Sequence, residues 1–523
     1  MQRITARGFS GAILVAKDGR VILSNGYGKL GPRGGTVKAD AVFDLASVTK
    51  QLTATAVLKL EMQGALSTSD RTSKYLAGVP EDKEQITIHH LLTHTAGLPN
   101  DVGGDYDVAP RDETVQKILT APLESVPGNK YSYSNAGYSL LAALVERISG
   151  VSWEEFANKY LFQPAHMRDT GYRLPRWRPN MVAESFLSVR YPSPLDRPGP
   201  YWNLIGNGGV LSTVGDLYRW HLALNGNHLL SESEKKKLFT PYVLESPGGP
   251  TSYGYGWVIQ KTNRGTTVAW HNGGTDEGFT SYIGRYLDEN AVIIFLSNSI
   301  LGGGPYAIPP APLPTPDNEL ERYRGTYRMS SGGALVVSVA NGCLSLQAQG
   351  RDAVGLLMYP DVERSQSHVA IRISSAFDSI DHGDFSALES LVGPEAAADH
   401  VKRFGGFWRD WTAELGRYQG TMFLYAVVTG TRRSSYVELK FENGTQIVRA
   451  AEDRAGHVVR SRSGPPSVSS FTVVPLGAHQ FSYFDFRSGK NIAIDFSSTD
   501  DGHVSTMVLH LPNAEMQIPM VEE

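Results

Sequence analysis

Cysteine is almost missing: Cys343 is the one cysteine in 523 residues. A lone thiol excludes an intrachain disulfide and a zinc site built on paired cysteines. It leaves the compartment open, because secreted proteins also occur without disulfides. An excess of one charge is missing too. Lys and Arg number 49 against 53 Asp and Glu, a net charge of −4, which argues against nucleic acid as the main partner. No apolar run approaches the ~18 residues of a membrane span; Ala291–Leu296 is among the longest clean stretches. Met1–Phe9 carries no charged-then-apolar leader, so the expected compartment is the cytoplasm, or an extracytoplasmic space if a leader was removed. At 20% charged and 41% apolar the composition is not that of a disordered chain.

What is abundant is glycine, at 54, with 29 prolines, the mark of many turns and long shaped loops. At roughly 100–200 residues per domain the length allows two to four domains. Phe9–Ala16 and Val21–Tyr27 read as a hairpin about Asp18-Gly19. A helix is expected from Ser47 to Gln63, with Leu52, Ala56, Val57 and Leu60 on one face and Gly64 as its stop. A second is expected over Tyr138–Ser149, stopped by Gly150. Tyr255–Ile259, Thr267–Trp270, Phe279–Tyr286 and Ala291–Leu296 read as consecutive strands, which makes residues 1–301 an α/β arrangement with an antiparallel sheet.

Residues 302–317 are Pro- and Gly-rich and read as an extended linker. Short strands are expected at Gly325–Tyr327, Ala334–Ala340, Cys343–Ala348 and Val354–Met358. Residues 368–462 differ in texture: Val401, Phe404, Trp408, Trp411 and Leu415 form one helical stripe, read as core, and strands follow. Strand-and-turn patterning resumes after 463. The expected layout is a β-rich barrel-like domain in two parts, 318–367 and 463–523, with an α+β cone-like module, 368–462, inserted between them.

Three short motifs carry chemistry. Ser47-Val48-Thr49-Lys50 opens a helix, so Ser47 and Lys50 share one face at i and i+3. A serine hydroxyl needs a base to become a nucleophile, and a lysine serves when burial lowers its pKa. The spacing alone is weak. Ser233–Lys236 repeats it inside a charged run that reads as a solvated face. Tyr133-Ser134-Asn135 lies in a loop entering the second helix. A tyrosine beside a lysine can have a lowered pKa and pass protons, and the Asn135 amide can hold a substrate carbonyl or orient Lys50; the plain alternative is an Asn cap with a packed tyrosine. His271-Asn272-Gly273-Gly274 follows a strand. Its small residues let a substrate approach the strand edge, and Gly274 can offer an N–H to an oxyanion; the plain alternative is a turn histidine.

The order Ser-x-x-Lys, Tyr-x-Asn, His-x-Gly, with Phe43–Lys50, His90–Leu98, Pro127–Tyr138, Gly206–Thr213 with Asp216, and Tyr253–Trp257, resembles the serine β-lactamase-related superfamily. That group includes class C β-lactamases, D-Ala-D-Ala carboxypeptidases, D-aminopeptidases and esterases. The resemblance covers residues 8–300 and implies a β-lactamase/transpeptidase-like fold, a mixed sheet flanked by helices beside a helical subregion. It implies Ser47 as the acylated nucleophile, Lys50 and Tyr133 sharing the base role, and Asn135, His271, Gly273 and Gly274 binding substrate. The N–H groups of Ser47 and Gly274 match the oxyanion hole. His271 departs from the lysine that class C enzymes carry there, and His-x-Gly resembles D-aminopeptidases and some esterase-like members instead; because histidine is mostly neutral at pH 7, efficient β-lactam hydrolysis is not expected. The C-terminal region resembles modules appended to such enzymes, and its inserted segment the cone-like fold of nuclear transport factor relatives.

The expected activity is hydrolysis through an acyl-enzyme of a small-molecule or peptide substrate, an amide or ester such as a D-amino-acid peptide. No metal or organic cofactor is called for, and the oligomeric state is left open. The competing readings are a promiscuous carboxylesterase or weak β-lactamase, and a non-catalytic penicillin-binding or sensor protein.

Overall fold

The computed structural model describes residues 9–298, apart from 187–191, 197–198, 200 and 276, and most of 315–349, 368–392, 405–429, 432–452, 458–463 and 470–521. Two compact units are resolved, one over Gly8–Tyr306 and one formed by the chain from Ala307 onward. Most of the expected linker, 302–314, lies outside the described residues.

In the first unit, β1 (Gly11–Lys17) and β2 (Arg20–Tyr27) form the expected hairpin. Its turn residues Asp18 and Gly19 sit at φ 51° and 72°, the left-handed pair that matches strand twist. A two-residue pairing of β3 (Phe43–Asp44) with β4 (Leu211–Ser212) precedes a 3-10 turn at Ala46–Val48 and helix α1 (Thr49–Met62). Helix α2 spans Asn135–Ser149 and α3 spans Val214–Asn225. Six strands follow: β5 (Val243–Leu244), β6 (Thr251–Tyr253), β7 (Val258–Lys261), β8 (Thr267–Gly274), β9 (Thr280–Tyr286) and β10 (Ala291–Ser297). All eight belong to one sheet in the order β2-β1-β10-β9-β8-β7-β6-β5. Pairing of Gly11 with Ser297 through Lys17 with Ala291 brings the N-terminal hairpin against the last strand.

Helix α1 differs from its expected form. Instead of one apolar stripe, every residue from Thr49 to Leu58 is buried. Several of its buried polar side chains find partners inside the unit, although Thr49 Oγ1 and Gln51 Nε2 have none among the described residues. Thr53 Oγ1 donates to Gly206 O at 2.7 Å, Thr55 Oγ1 to Gln51 O at 2.8 Å, and Gln51 Oε1 accepts from Trp220 Nε1 at 2.9 Å. The helix is therefore the central post of the unit. Helix α2 begins three residues before its expected start because Ser134 caps it, accepting from the Gly137 N–H at 3.0 Å. It stops at Gly150, φ 76°, the left-handed cap that glycine adopts without strain. Tyr255 to Trp257 stay outside β7 because Gly256, at φ 74°, lies against the backbone of Lys50 and Gln51; a Cβ there would meet Lys50 O at 2.8 Å.

In the second unit, β11 (Gly325–Arg328), β12 (Ala334–Ala340), β13 (Cys343–Gln349), β18 (Ser470–Gly477), β19 (Gln480–Asp485), β20 (Lys490–Ser498), β21 (Val504–Leu511) and β22 (Ala514–Val521) close into a barrel. Closure leaves no sheet edge open. Between β13 and β18 the chain forms helices α4 (His368–Asp381) and α5 (Ser386–Val392) and a separate sheet of β14 (Tyr418–Thr429), β15 (Arg432–Phe441), β16 (Gly444–Glu452) and β17 (Val458–Ser463). Trp408 is buried there and stacks on Phe377 with centroids 5.8 Å apart, while Trp411 and Leu415 pack partly against the same core. Val401 and Phe404, and all but Leu356 of the expected strand Val354–Met358, lie outside the described residues; Leu356 itself is buried and helical rather than in a strand. Strand β22 holds Pro519, which weakens its strand pattern; pairing with β21 and β11 supplies the order instead. Among the described residues no helix is long and apolar enough to cross a membrane.

Candidate active site

Ser47 lies in the 3-10 turn that leads into α1, and Lys50 in the first turn of the helix. The preceding residue, Ala46, sits at φ 45°, a region non-glycine residues rarely adopt. Its N–H is held by Asp44 Oδ1 at 2.7 Å. The i and i+3 spacing does bring the two side chains together: Lys50 Nζ is 3.1 Å from Ser47 Oγ, 2.7 Å from Asn135 Oδ1 and 2.9 Å from Asn207 O. Lys50 has no exposed surface. Burial lowers its pKa to about 7, partly offset by the negative charges of Asp101 and Asp105.

The three contacts differ in what they require. Asn135 Oδ1 and Asn207 O are acceptors only, so they take two N–H groups whether the amine is charged or neutral. The third direction points at Ser47. A charged amine donates there; a neutral one presents its lone pair to the hydroxyl proton. The amine is thus preset to act on Ser47 when it loses its proton.

Tyr133 stands beside them, its ring centroid 4.8 Å from Lys50 Nζ, and its hydroxyl hydrogen-bonds Ser47. The expected lowering of its pKa is reversed. Burial pushes the phenol well up, reinforced by the charges of Asp101 and Glu245 and opposed by the Ser47 hydrogen bond. Tyr133 is therefore a proton donor at neutral pH. Asn135, the first residue of α2, is used by the protein on both sides: Oδ1 takes Lys50 and Nδ2 donates to Asp101 Oδ1 at 2.9 Å. The loop carrying both residues is tied down by His94, whose Nδ1 accepts from the Ser134 N–H at 3.1 Å. The His94 ring lies 4.3 Å from Tyr133, 5.0 Å from Tyr138 and 4.6 Å from Tyr253, centroid to centroid. His94 thus packs the Tyr133 loop in place.

His271–Gly274 forms the second half of β8 rather than a turn. Strand β7 pairs with β8 only as far as Trp270, so these four residues keep one edge free of β7. The His271 imidazole is buried. Nδ1–H donates to Asn272 O at 2.6 Å, and Nε2 faces the Tyr253 hydroxyl at 2.9 Å. Burial, and then the charge of Lys50, lower its pKa to about 3, so the position holds no cation at pH 7. Gly273 turns toward the Ser47 turn: a Cβ there would lie 2.4 Å from Leu45 O and 2.9 Å from Ala46 Cβ. Ser281 Oγ ties the same Leu45 carbonyl at 2.6 Å. A Cβ on Gly274 would meet nothing within 4 Å.

Together Ser47, Tyr133, Tyr253, Trp270, His271–Gly274 and Glu245 line a cleft of about 250 Å³. All seven candidate residues are drawn to this one region, Lys50 and Asn135 lying directly behind Ser47. Ser233 and Lys236, the competing pair, fall on a charged helix, Glu232–Leu238, whose Lys235 pairs with Glu232.

A serine–lysine pair at the head of a buried central helix, walled by an antiparallel sheet and faced by a Tyr-x-Asn loop, defines the serine β-lactamase/transpeptidase-like class. The sequence model of the Beta-lactamase family matches residues 2–306, and the chain belongs to that family. It is 29% identical over 398 residues to Penicillin-binding protein 4* of Bacillus subtilis, covering 68% of this chain and 87% of the relative. It is 29% identical over 306 residues to the D-alanyl-D-alanine-carboxypeptidase/endopeptidase AmpH of Escherichia coli, covering 54% of this chain and 78% of AmpH. Among solved structures, a Beta-Lactamase/D-Alanine Carboxypeptidase from Pseudomonas syringae shares the fold at 20% identity and a TM-score of 0.50, covering 57% of this chain and 91% of that one.

Four contributors escaped the sequence reading. Asn207 acts through a backbone carbonyl, which has no side-chain signature, although it falls in the Gly206–Thr213 stretch. Tyr253 lies in the Tyr253–Trp257 stretch, where its type gave no role. Asp101 and Glu245 sit in loops without any pattern to mark them.

Proposed function

We propose that this β-lactamase-family serine hydrolase works through an acyl-enzyme on small amide or ester substrates, D-amino-acid peptides among them. The observation that carries the reading is the buried Lys50 amine, at 3.1 Å from Ser47 Oγ and with a pKa of about 7. In this reading neutral Lys50 takes the Ser47 proton as the Oγ–C bond forms. The N–H groups of Ser47 and Gly274 receive the developing oxyanion. Tyr133, which keeps its proton at neutral pH, gives it to the leaving nitrogen or oxygen as that bond to carbon breaks, and is reprotonated through Lys50. Water then enters with the roles reversed. Asn135 holds the amine on line.

The name of AmpH, a carboxypeptidase and endopeptidase, supports an amide substrate. The neutral, buried His271 weighs against efficient β-lactam hydrolysis, where a cation would meet the substrate carboxylate. The domain division at 302–317, with the segment 368–462 inserted in a barrel, is proposed alongside; the strand order β13 to β18 supports it. The test is covalent labelling by a fluorophosphonate. Wild-type protein gains one adduct by mass spectrometry and Ser47→Ala gains none; equal labelling of the two refutes the assignment.

A further inference from the structure

The cleft holds one feature that the proton-transfer machinery does not use. Glu245, just past β5, is half-buried among the lining residues. Its backbone N–H is fixed to Thr251 O at 3.1 Å, and its Oε1 accepts from the Tyr131 hydroxyl at 3.0 Å. Tyr131 is itself braced by the rings of His94 and Tyr253, both at 5.7 Å. The carboxylate is thus held in place, with Oε2 free of partners among the described residues. With His271 uncharged, Glu245 is the one charged side chain among the residues described as lining the cleft.

Its side of the cleft follows from the proton path. The departing atom must receive a proton from Tyr133, so the leaving portion of a substrate lies on the Tyr133 side. Tyr131, which anchors Glu245, is two residues from Tyr133 on the same loop. The acyl portion then runs the other way, past Gly274. A free carboxylate on the leaving portion would face Glu245, with the neutral His271 offering no cation from the strand to offset it. An ammonium there would find a fixed partner.

We propose that Glu245 selects substrates by the charge of their leaving portion, favouring an amide or ester whose departing half carries an ammonium group over one that ends in a free carboxylate, with neutral leaving portions between. The proposal rests on the reading of Ser47 as the acylated residue and deepens it by naming the substrate class.

The test uses the full chain and three compounds with one acyl group, N-acetyl-D-alanyl. Their leaving portions are D-alanine (anionic), D-alaninamide (neutral) and the 2-aminoethyl amide of D-alanine (cationic). The readout is kcat/KM and, where turnover is slow, the concentration of each compound that protects Ser47 from fluorophosphonate labelling. For wild type the cationic compound should exceed the anionic one by about tenfold or more, as a charge pair near a surface allows. Glu245→Gln keeps an acceptor for Tyr131, and there the spread should shrink to within about threefold, the residue expected from unlike shapes once the charge term is gone. In Glu245→Lys the order should reverse. The same order and spread in Glu245→Gln, or a wild type that prefers the anionic compound or does not discriminate, overturns the proposal. Wild-type protein that fails to label at Ser47 overturns the catalytic reading instead, so the two failures are distinguishable.

Discussion

If the Lys50 amine is the base, the rate of acylation must follow its proton. Burial brings its pKa from 10.5 to about 7. At about 1.4 kcal/mol per pH unit this amounts to a net bias of about 5 kcal/mol against the ammonium form. At pH 7 about half of the molecules then hold a neutral amine, against about one in 3,000 for an ordinary lysine. Second-order rate constants for fluorophosphonate labelling, measured between about pH 5 and pH 9, isolate the step. They should climb about tenfold per pH unit below pH 7 and level off about one unit above it. Tyr133, with its pKa pushed up, adds no rising limb in that range. The charge of Asp101 raises the Lys50 pKa, so Asp101→Asn should move the midpoint to lower pH. A flat profile, a rise only near pH 10, or a midpoint that moves up in Asp101→Asn would refute the reasoning. The same group has a stability signature. The folded chain gives up this proton at about pH 7 and the unfolded chain holds it to 10.5, so this group makes stability rise with pH across that window.

Three further outcomes are expected. Tyr133→Phe loses the hydroxyl that meets Ser47; kcat should fall by about 10² to 10⁴, the usual worth of a positioned proton donor, in steady-state assays, with the melting temperature little changed. His271 refuses a proton down to about pH 3 while the unfolded chain accepts one near 6.5. Stability should therefore drop as pH falls from 6.5 toward 3, and urea midpoints should show a shallower drop in His271→Gln. Gly273→Ala places a Cβ 2.4 Å from Leu45 O, and should cost about 3 kcal/mol by overpacking together with most Ser47 labelling. Gly274→Ala meets open space and should fold like the wild type by thermal melting; equal effects of the two would show that the strand does not seat on the Ser47 turn.

How far the sequence could be read depended on the kind of interaction. Ser47 and Lys50 were legible because i and i+3 on a helix is a local geometry, and the hairpin at Asp18-Gly19 because its turn residues must take positive φ. Helix α1 was misread as one-sided because Thr53 and Gln51 count as polar, and only the distant Gly206 carbonyl and Trp220 indole make them tolerable inside. The strand β8 ran past its expected end since glycines weaken the strand pattern, whereas pairing of Asn272 with Tyr282 and Gly274 with Thr280 carries it on. The direction of the Tyr133 shift was missed for a related reason. A neighbouring lysine suggests a lowered phenol, but that lysine is itself buried and half neutral, and burial decides the sign.

Lys50 is gripped by three parts of the chain, the turn at 47, the head of α2 at 135 and the loop at 207. Should any one swing away, the amine regains its hydration, keeps its proton and no longer serves as a base for Ser47. Reactivity at this centre is thereby a gauge of assembly: a chemist counting adducts is also counting molecules in which the three segments are correctly docked.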